Sequence, residues 1–431
     1  MSSALGMLAR IMQSKPAIVT PSGHVFEVFW AFLRLGFTSF GGPVAHLAYF
    51  RHEFVVKRRW LDEASYADLV ALCQFLPGPA SSQVGMALGW GRAGWAGMAA
   101  AWLAFTLPSA LALIALAYGV VALGDAGQAP WWQGALKGLK LAALAVVAQA
   151  IWGMARQLSP DGARRALALA TAALALAWPA LMGGSAWAGQ LLPLALCALV
   201  GWRWGGGWVG KAGEGAPAPL RAPRASTGAL AMLVFIGLLL ALPLLAAWTH
   251  GPLLAQVDGF FRAGALVFGG GHVVLPWLQA SVVPGAAVSA ADFMAGYGAA
   301  QAVPGPLFTF AAFLGAAMDP AVLGGLSRWQ GGLVMLLALF APAALVLVGA
   351  LPFWARWRQR PGLRATMAGV NSGVVGLLLA AWVHPMWPAA VTGWGDAALA
   401  AVAWLVLMKT RAGPVVVVLG CALVGVALSA L

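Results

Sequence analysis

Nine long apolar stretches recur along the chain, near 96–118, 132–155, 166–182, 186–202, 229–249, 331–353, 365–384, 394–408 and 414–431. Each reads as a membrane-crossing helix, for which roughly 17–25 apolar residues suffice. Four further stretches are apolar but broken in the middle: 26–50 at Gly41-Gly42-Pro43, 63–90 at Pro77-Gly78-Pro79, 259–280 at Gly269-Gly270-Gly271, and 290–317 at Pro304-Gly305-Pro306. Proline removes a backbone donor and glycine weakens a helix, so each break predicts two half-helices around an unwound turn. Unwound backbone at membrane depth survives only where protein buries it or where it lines a wet cavity. Residues 203–228 carry Arg203, Gly205-Gly206-Gly207, Lys211, Pro217, Pro219, Arg221, Pro223 and Arg224, and read as a linker between two halves.

The halves repeat one another. Phe32-Leu33-Arg34-Leu35-Gly36 with Phe40-Gly41-Gly42-Pro43 returns as Phe260-Phe261-Arg262-Ala263-Gly264 with Phe268-Gly269-Gly270-Gly271. Gln74 ahead of Pro77-Gly78-Pro79 returns as Gln301 ahead of Pro304-Gly305-Pro306. A duplicated apolar chain with breakers at matching places is the pattern of a transporter whose site lies where its repeats meet. The basic loops give the relative orientation. Arg51, Lys57, Arg58 and Arg59 follow the first broken stretch, whereas 281–291 has no Lys or Arg; 119–131 has none, whereas Arg356, Arg358, Arg360 and Arg364 follow its counterpart. The basic and neutral loops have exchanged places, which predicts inverted repeats. With the broken stretches as re-entrant hairpins and the N-terminus inside, roughly four fifths of the 25 basic residues become cytoplasmic and the C-terminus periplasmic.

The expected fold is therefore an all-α polytopic membrane protein: two inverted repeats, each of two broken or re-entrant helical hairpins plus about four transmembrane helices. Its parts are a cytoplasmic segment 1–25, a first repeat 26–202, a linker 203–228, an extra connecting span 229–249 and a second repeat 250–431. Composition agrees, with 62% apolar and 9% charged residues against roughly 45–50% and 25% in soluble domains. The net charge of +13 is spread in short clusters between apolar runs, which favours cytoplasmic loop ends over nucleic-acid binding. Cys73, Cys197 and Cys421 form no CxxC pair and read as apolar packing. No phosphate-binding GxxxxGK[ST] loop is present, and no cofactor is expected.

Arg34 and Arg262 are the sharpest chemical signals, because an arginine within a membrane helix costs about 2.5–3.5 kcal/mol to insert. Either each bonds carbonyls freed by its own hairpin, or its guanidinium fork binds an oxyanion. The turns at Gly41, Gly42 and Gly78, and at Gly270 and Gly305, would bring half-helix N-termini toward mid-membrane, where free N–H groups favour an anion. Ser81, Ser82 and Thr309 follow the Pro-Gly-Pro turns and either cap helices or bind substrate. Gln74 and Gln301 bridge hairpins or bind oxygen atoms. Lys140, which aligns with Asn371, is the deeper of two lysines on its span and the better site-side cation. His46, His52, His272 and His384 are too scattered for a metal site.

The strings Phe32-Leu33-Arg34-Leu35-Gly36-Phe37-Thr38-Ser39-Phe40-Gly41-Gly42-Pro43, Trp60-Leu61-Asp62-Glu63 and Gln74-Phe75-Leu76-Pro77-Gly78-Pro79 resemble the chromate ion transporter family, in its long two-domain bacterial form. The resemblance covers both halves and implies an inner-membrane, multi-pass carrier, not an enzyme, that exports chromate and confers chromate resistance. Sulfate, a tetrahedral dianion like chromate, is the expected competitor and the alternative substrate. The membrane potential or the proton gradient would supply the energy. A membrane-embedded lipid-phosphate enzyme is the rival of another class, but no nucleophile or metal cluster supports it. The bilayer is the expected partner, with a homodimer among the assemblies left open. The second half departs from the pattern: Gly271 replaces the proline of Gly-Gly-Pro, and Trp-Leu-Asp-Glu has no clear counterpart. Unequal halves are expected.

Overall fold

Helix breakers and caps cut the chain into the elements of the computed structural model, which describes residues 24–40, 42–125, 129–182, 186–208, 222–267, 273–357, 360–410 and 412–429. The first half comprises α1 (Val25–Thr38), α2 (Gly42–Phe50), α3 (Glu63–Phe75), α4 (Ala80–Asp125), α5 (Pro130–Leu158), α6 (Gly162–Met182) and α7 (Ala186–Trp204). A lone helix α8 (Ala225–Thr249) follows. The second half comprises α9 (Pro252–Ala265), α10 (Val274–Val282), α11 (Ala290–Ala302), α12 (Phe310–Ala317), α13 (Arg328–Ala350), α14 (Trp354–Trp357), α15 (Pro361–Ala381), α16 (Trp387–Ala390), α17 (Trp394–Lys409) and α18 (Pro414–Ser429). No strand occurs among the described residues. Five helices there are long and apolar enough to cross a membrane, and the chain is an all-α, multi-pass membrane protein.

Among the described residues the predicted breaks fall at helix ends, and the one at Gly269-Gly270-Gly271 lies outside those residues. α1 stops at Thr38 and α2 starts at Gly42; α3 stops at Phe75 and α4 starts at Ala80. Asp62 of the Trp-Leu-Asp-Glu string caps α3, its carboxylate accepting from the Ser65 N–H at 2.7 Å. Ser289 does the same for α11, accepting from the Asp292 N–H at 3.0 Å. The string has a functional counterpart in the second half, although its letters have changed. α4 is two limbs: Ala93 and Gly94 leave helical dihedrals, and Gly89 is pressed against the Gly97 carbonyl and Ala101. Only a sharp reversal brings those residues together. α12 and α13 repeat the arrangement with Gly315 against Gly331, across a longer connection.

Ion pairs show where the hairpins return. Glu27, at the start of α1, meets Arg58 beyond α2 at 3.6 Å and Arg92 at the end of the first α4 limb at 3.1 Å. Arg51 meets Glu63 at 2.6 Å. Both first-half hairpins thus start and finish at one end of the molecule. The guanidinium carbons of Arg58 and Arg92 lie 5.8 and 5.4 Å from the Trp60 ring centroid, so the second string's Trp closes this end.

The long limb of α4 and α13 run antiparallel. Trp329 donates its N–H to the Tyr118 hydroxyl at one end, Trp102 packs on Phe340 midway, and at the far end the Trp354 indole donates to Asp68, midway along α3. The remaining helices cross between halves. Gly134 and Gly138 of α5 sit on the carbonyls of Gly425 and Cys421 of α18; Gly201 and Cys197 of α7 meet Ala365 and Gly369 of α15 in the same way. Small residues four apart let helix backbones approach where no hydrophobic force separates lipid from protein. Cys197 and Cys421 are buried at these two crossings, as packing residues.

Candidate functional site

Two hydrogen bonds tie the hairpin tips together across the halves. The Gly78 N–H donates to the Val267 carbonyl at 2.7 Å, and the Gly305 N–H donates to the Ser39 carbonyl at 2.9 Å. Ser39 and Val267 hold the same place in their halves, one residue before Phe-Gly-Gly. The packing around the tips is reciprocal as well. A Cβ on Gly78 would lie 2.9 Å from the Ala343 Cβ, and one on Gly305 would lie 2.8 Å from the Ser109 Oγ. Ser109 and Ala343 each follow a helix proline, Pro108 and Pro342, against which Gly36 and Gly264 pack. Each Pro-Gly-Pro turn is therefore wedged between the arginine helix and the proline helix of the opposite half.

The geometry repeats but the chemistry does not. The Gly305 turn meets Ser39 and Ser109, and His46 adjoins Ser39 with Ser81 beside it; Gln83 reaches the Gly78 turn, Ser82 and Thr106 stand on α4, and all seven are buried. The His46 ring lies against the Ser39 backbone and, edge to face, against Phe105, with Nδ1 3.5 Å from the Ser81 Oγ. Ser109 donates to the Thr106 carbonyl at 3.0 Å. At corresponding places the second half has Val267, Val274, Phe308, Thr309, Phe310, Phe340 and Ala343. Thr309 is the single polar side chain of that set, and its hydroxyl is used locally, donating to the Pro306 carbonyl at 2.7 Å.

The first-half cluster is not satisfied by its own neighbours. Ser39 Oγ, His46 Nε2, Ser82 Oγ and Thr106 Oγ1 are buried without a hydrogen-bond partner among the described residues, as is Gln83 Oε1. The Gln83 amide meanwhile donates to the Pro77 carbonyl at 2.8 Å and to the Ala343 carbonyl at 3.3 Å, holding the first Pro-Gly-Pro turn. Most buried polar groups in proteins are paired, and each unpaired one costs about 1–3 kcal/mol. Ser39 and His46, unpaired beside the Gly305 turn, and Ser82 and Thr106, unpaired on α4, which reaches that turn through Ser109, are groups that a polar guest would satisfy.

The other residues singled out from sequence lie apart from this cluster. Arg34 is exposed on the outer face of α1 with Trp30 and Phe37, and its guanidinium makes no hydrogen bond or ion pair among the described residues. It sits two helical turns, about 10 Å, beyond Glu27 on the same face of α1. Arg262 is half-buried and pairs with Asp258, at 2.8 Å through Nε and 2.7 Å through Nη2. Gln74 is exposed, and the Gln301 amide nitrogen is buried unpaired. Gly42 has φ +77°, while Gly41, Gly270 and His272 fall outside the described residues. Lys140 lines a separate cavity of about 440 Å³ between α5, α17 and α18, beside a 2.7 Å Lys137–Asp396 ion pair. Asn371 leaves its side-chain oxygen buried and unpaired.

Sequence reasoning passed over Ser39, Thr106 and Ser109, and set His46 aside with the other histidines. The signal was present: each is polar where its counterpart in the other half is apolar. Laying one half against the other, position by position, picks them out.

The family model for chromate transporters matches residues 26–202 and 254–426, and the chain belongs to that family. It is 29% identical over 411 residues to a chromate transport protein of Cupriavidus metallidurans, covering 94% of this chain and 93% of that one. It is 28% identical to a chromate transport protein of Pseudomonas aeruginosa, again covering 94% and 93%. A probable chromate transport protein of Synechococcus elongatus is 27% identical, with 85% of each chain covered. No solved structure matches the chain.

Proposed function

We propose that this protein is a secondary transporter that exports chromate across the bacterial inner membrane, holding the oxyanion at the Ser39–His46–Ser82–Thr106 cluster. The unpaired buried donors of that cluster carry the reading, and the names of the relatives supply the substrate. A tetrahedral oxyanion offers acceptors in every direction, which suits converging hydroxyls better than an apolar guest would. Sulfate has the same shape and charge and would compete. The two halves act as inverted repeats, with the N-terminus and the Glu27–Arg58–Arg92 end cytoplasmic. Arg34, exposed between that end and the hairpin tips, draws the anion inward from the cytoplasmic mouth. Moving a dianion out of a cell that is negative inside is downhill by about 2.3 kcal/mol per charge per 100 mV. The membrane potential, alone or with the proton gradient, is the driving force.

Chromate uptake into everted vesicles tests this. Arg34→Ala should lower uptake at limiting chromate at least tenfold at equal protein levels, and Arg34→Lys should recover part of it, since lysine keeps the charge but loses the fork. Normal uptake by Arg34→Ala would remove that residue from the path. For orientation, a reporter fused after Arg59 should be cytoplasmic and one within 281–291 periplasmic. Both on one side would overturn the inverted arrangement.

A further inference from the structure

We infer that His46 takes up a proton when the oxyanion binds, so that the loaded site holds a dianion and an imidazolium rather than a dianion alone. The inference rests on the cluster being the anion site. Its ground is an inventory of charge. Ser39, Ser81, Ser82, Gln83, Thr106 and Ser109 are all neutral donors or acceptors, and His46 is the one member of the cluster that can become positive. The neighbouring cations do not join it: Arg51, five residues beyond His46, pairs with Glu63, Arg34 is on the outer face of α1, and Arg262 is committed to Asp258.

A desolvated dianion held by neutral hydroxyls alone is costly, and an adjacent opposite charge is the direct remedy. The imidazole is placed for it. Nδ1 faces the Ser81 hydroxyl, the ring is sealed on one side by Phe105, and Nε2 is buried with no partner. A proton arriving from water at Nε2 would create one further donor directed at the anion and leave the Nδ1 contact in place. Among the described residues the neighbouring elements bring no competing charge: α1 offers the Ser39 backbone, α4 offers Ser81 and Phe105, and α3 offers Tyr66, whose hydroxyl donates to the Leu47 carbonyl at 2.6 Å, with Cys73 further along the helix. In the second half Val274 takes the place of His46, so one proton per transport cycle is the limit, not two. The loaded carrier would then move one net negative charge.

The test is calorimetric titration of the purified full-length protein with chromate, in buffers of different ionisation enthalpy, at pH values where chromate itself remains a dianion. The wild type should take up close to one proton per anion bound, with affinity falling toward tenfold for each pH unit of alkalinisation. His46→Gln should bind more weakly, with no proton uptake and a flat pH profile, and a thermal melt of the same sample shows that it is folded. Binding without proton uptake in the wild type overturns the inference, as does undiminished uptake in His46→Gln. Because that variant could lose the fold, His46→Asn and the wild-type pH profile provide independent readings. Thr106→Val reports on the cluster itself: unchanged chromate affinity there overturns the site, whatever the protons do. If the wild type binds no chromate, both readings fall.

Discussion

Thr106→Val should make the protein more stable and worse at its task. The Thr106 hydroxyl is buried without a partner, so replacing it by a methyl of similar shape removes an unsatisfied group that costs about 1–3 kcal/mol in the empty protein. The same change deletes a donor from the proposed anion site. A hydrogen bond to a charged group is worth about 1.5–3 kcal/mol, and each 1.4 kcal/mol is tenfold, so chromate affinity should fall by roughly one to two orders of magnitude. The melting temperature of detergent-solubilised protein should rise by a few degrees, while vesicle uptake at limiting chromate collapses. Opposite signs are the point, since a purely structural threonine would move both in one direction. A melting temperature below wild type, or unchanged affinity, would show that the hydroxyl is satisfied by water and not by substrate. Ser82→Ala should behave in the same way, and Phe340→Thr, which puts a hydroxyl at the matching second-half position, should not create a second site.

Alanine at either Pro-Gly-Pro glycine should cost the fold. Gly78 has φ +117° and Gly305 has φ +105°, where an L side chain is strained by about 1–3 kcal/mol. The added methyl would also press on Ala343 at Gly78 and on Ser109 at Gly305, and both glycine amides carry a bond between the halves. An exposed helix glycine would lose nothing of the kind on becoming alanine. Gly78→Ala and Gly305→Ala are therefore both expected to accumulate poorly in the membrane and to melt well below wild type. Adding Ala343→Gly to Gly78→Ala should recover the part due to contact and leave the dihedral strain. Wild-type melting of Gly78→Ala would mean that the turn reshapes freely, and the wedge described above would then have no structural weight.

How much of this could be read from the chain depends on what kind of force wrote it. Gly41-Gly42-Pro43 and the two Pro-Gly-Pro turns break helices by local sterics, which letters encode directly, and the helix ends lie where those residues stand. The apolar runs likewise became helices because every backbone group in lipid must find its partner within the helix. Partner choice was less legible. Gly134-x-x-x-Gly138 is visible as a small-residue pair, but nothing local says that its mate is Cys421 and Gly425 rather than a helix nearby. The proposed site was hardest. Arginine attracts attention because it is costly anywhere in a membrane, yet Arg34 is on an outer face and Arg262 is tied to Asp258, one turn away. Ser39, His46 and Thr106 are ordinary residues whose burial without partners emerges only once α1, α2, α4 and the Gly305 turn converge.

The crossing of α5 with α18 also sets a timetable for the ribosome and the insertion machinery. α5 is made early, but the surface that carries Gly134 and Gly138 is covered only when α18 arrives. At 5–20 residues per second, the interval from Gly134 to Gly425 lasts roughly 15 to 60 s. For that time a stripe of backbone carbonyls and small side chains faces lipid or whatever helix drifts by, including α5 of another nascent chain. α7 waits in the same way, for a shorter time, until α15 is made. Losing the last dozen residues would accordingly do more than trim an end: it would strip α5 of its mate and leave the first half, complete in sequence, without the neighbour it needs to close.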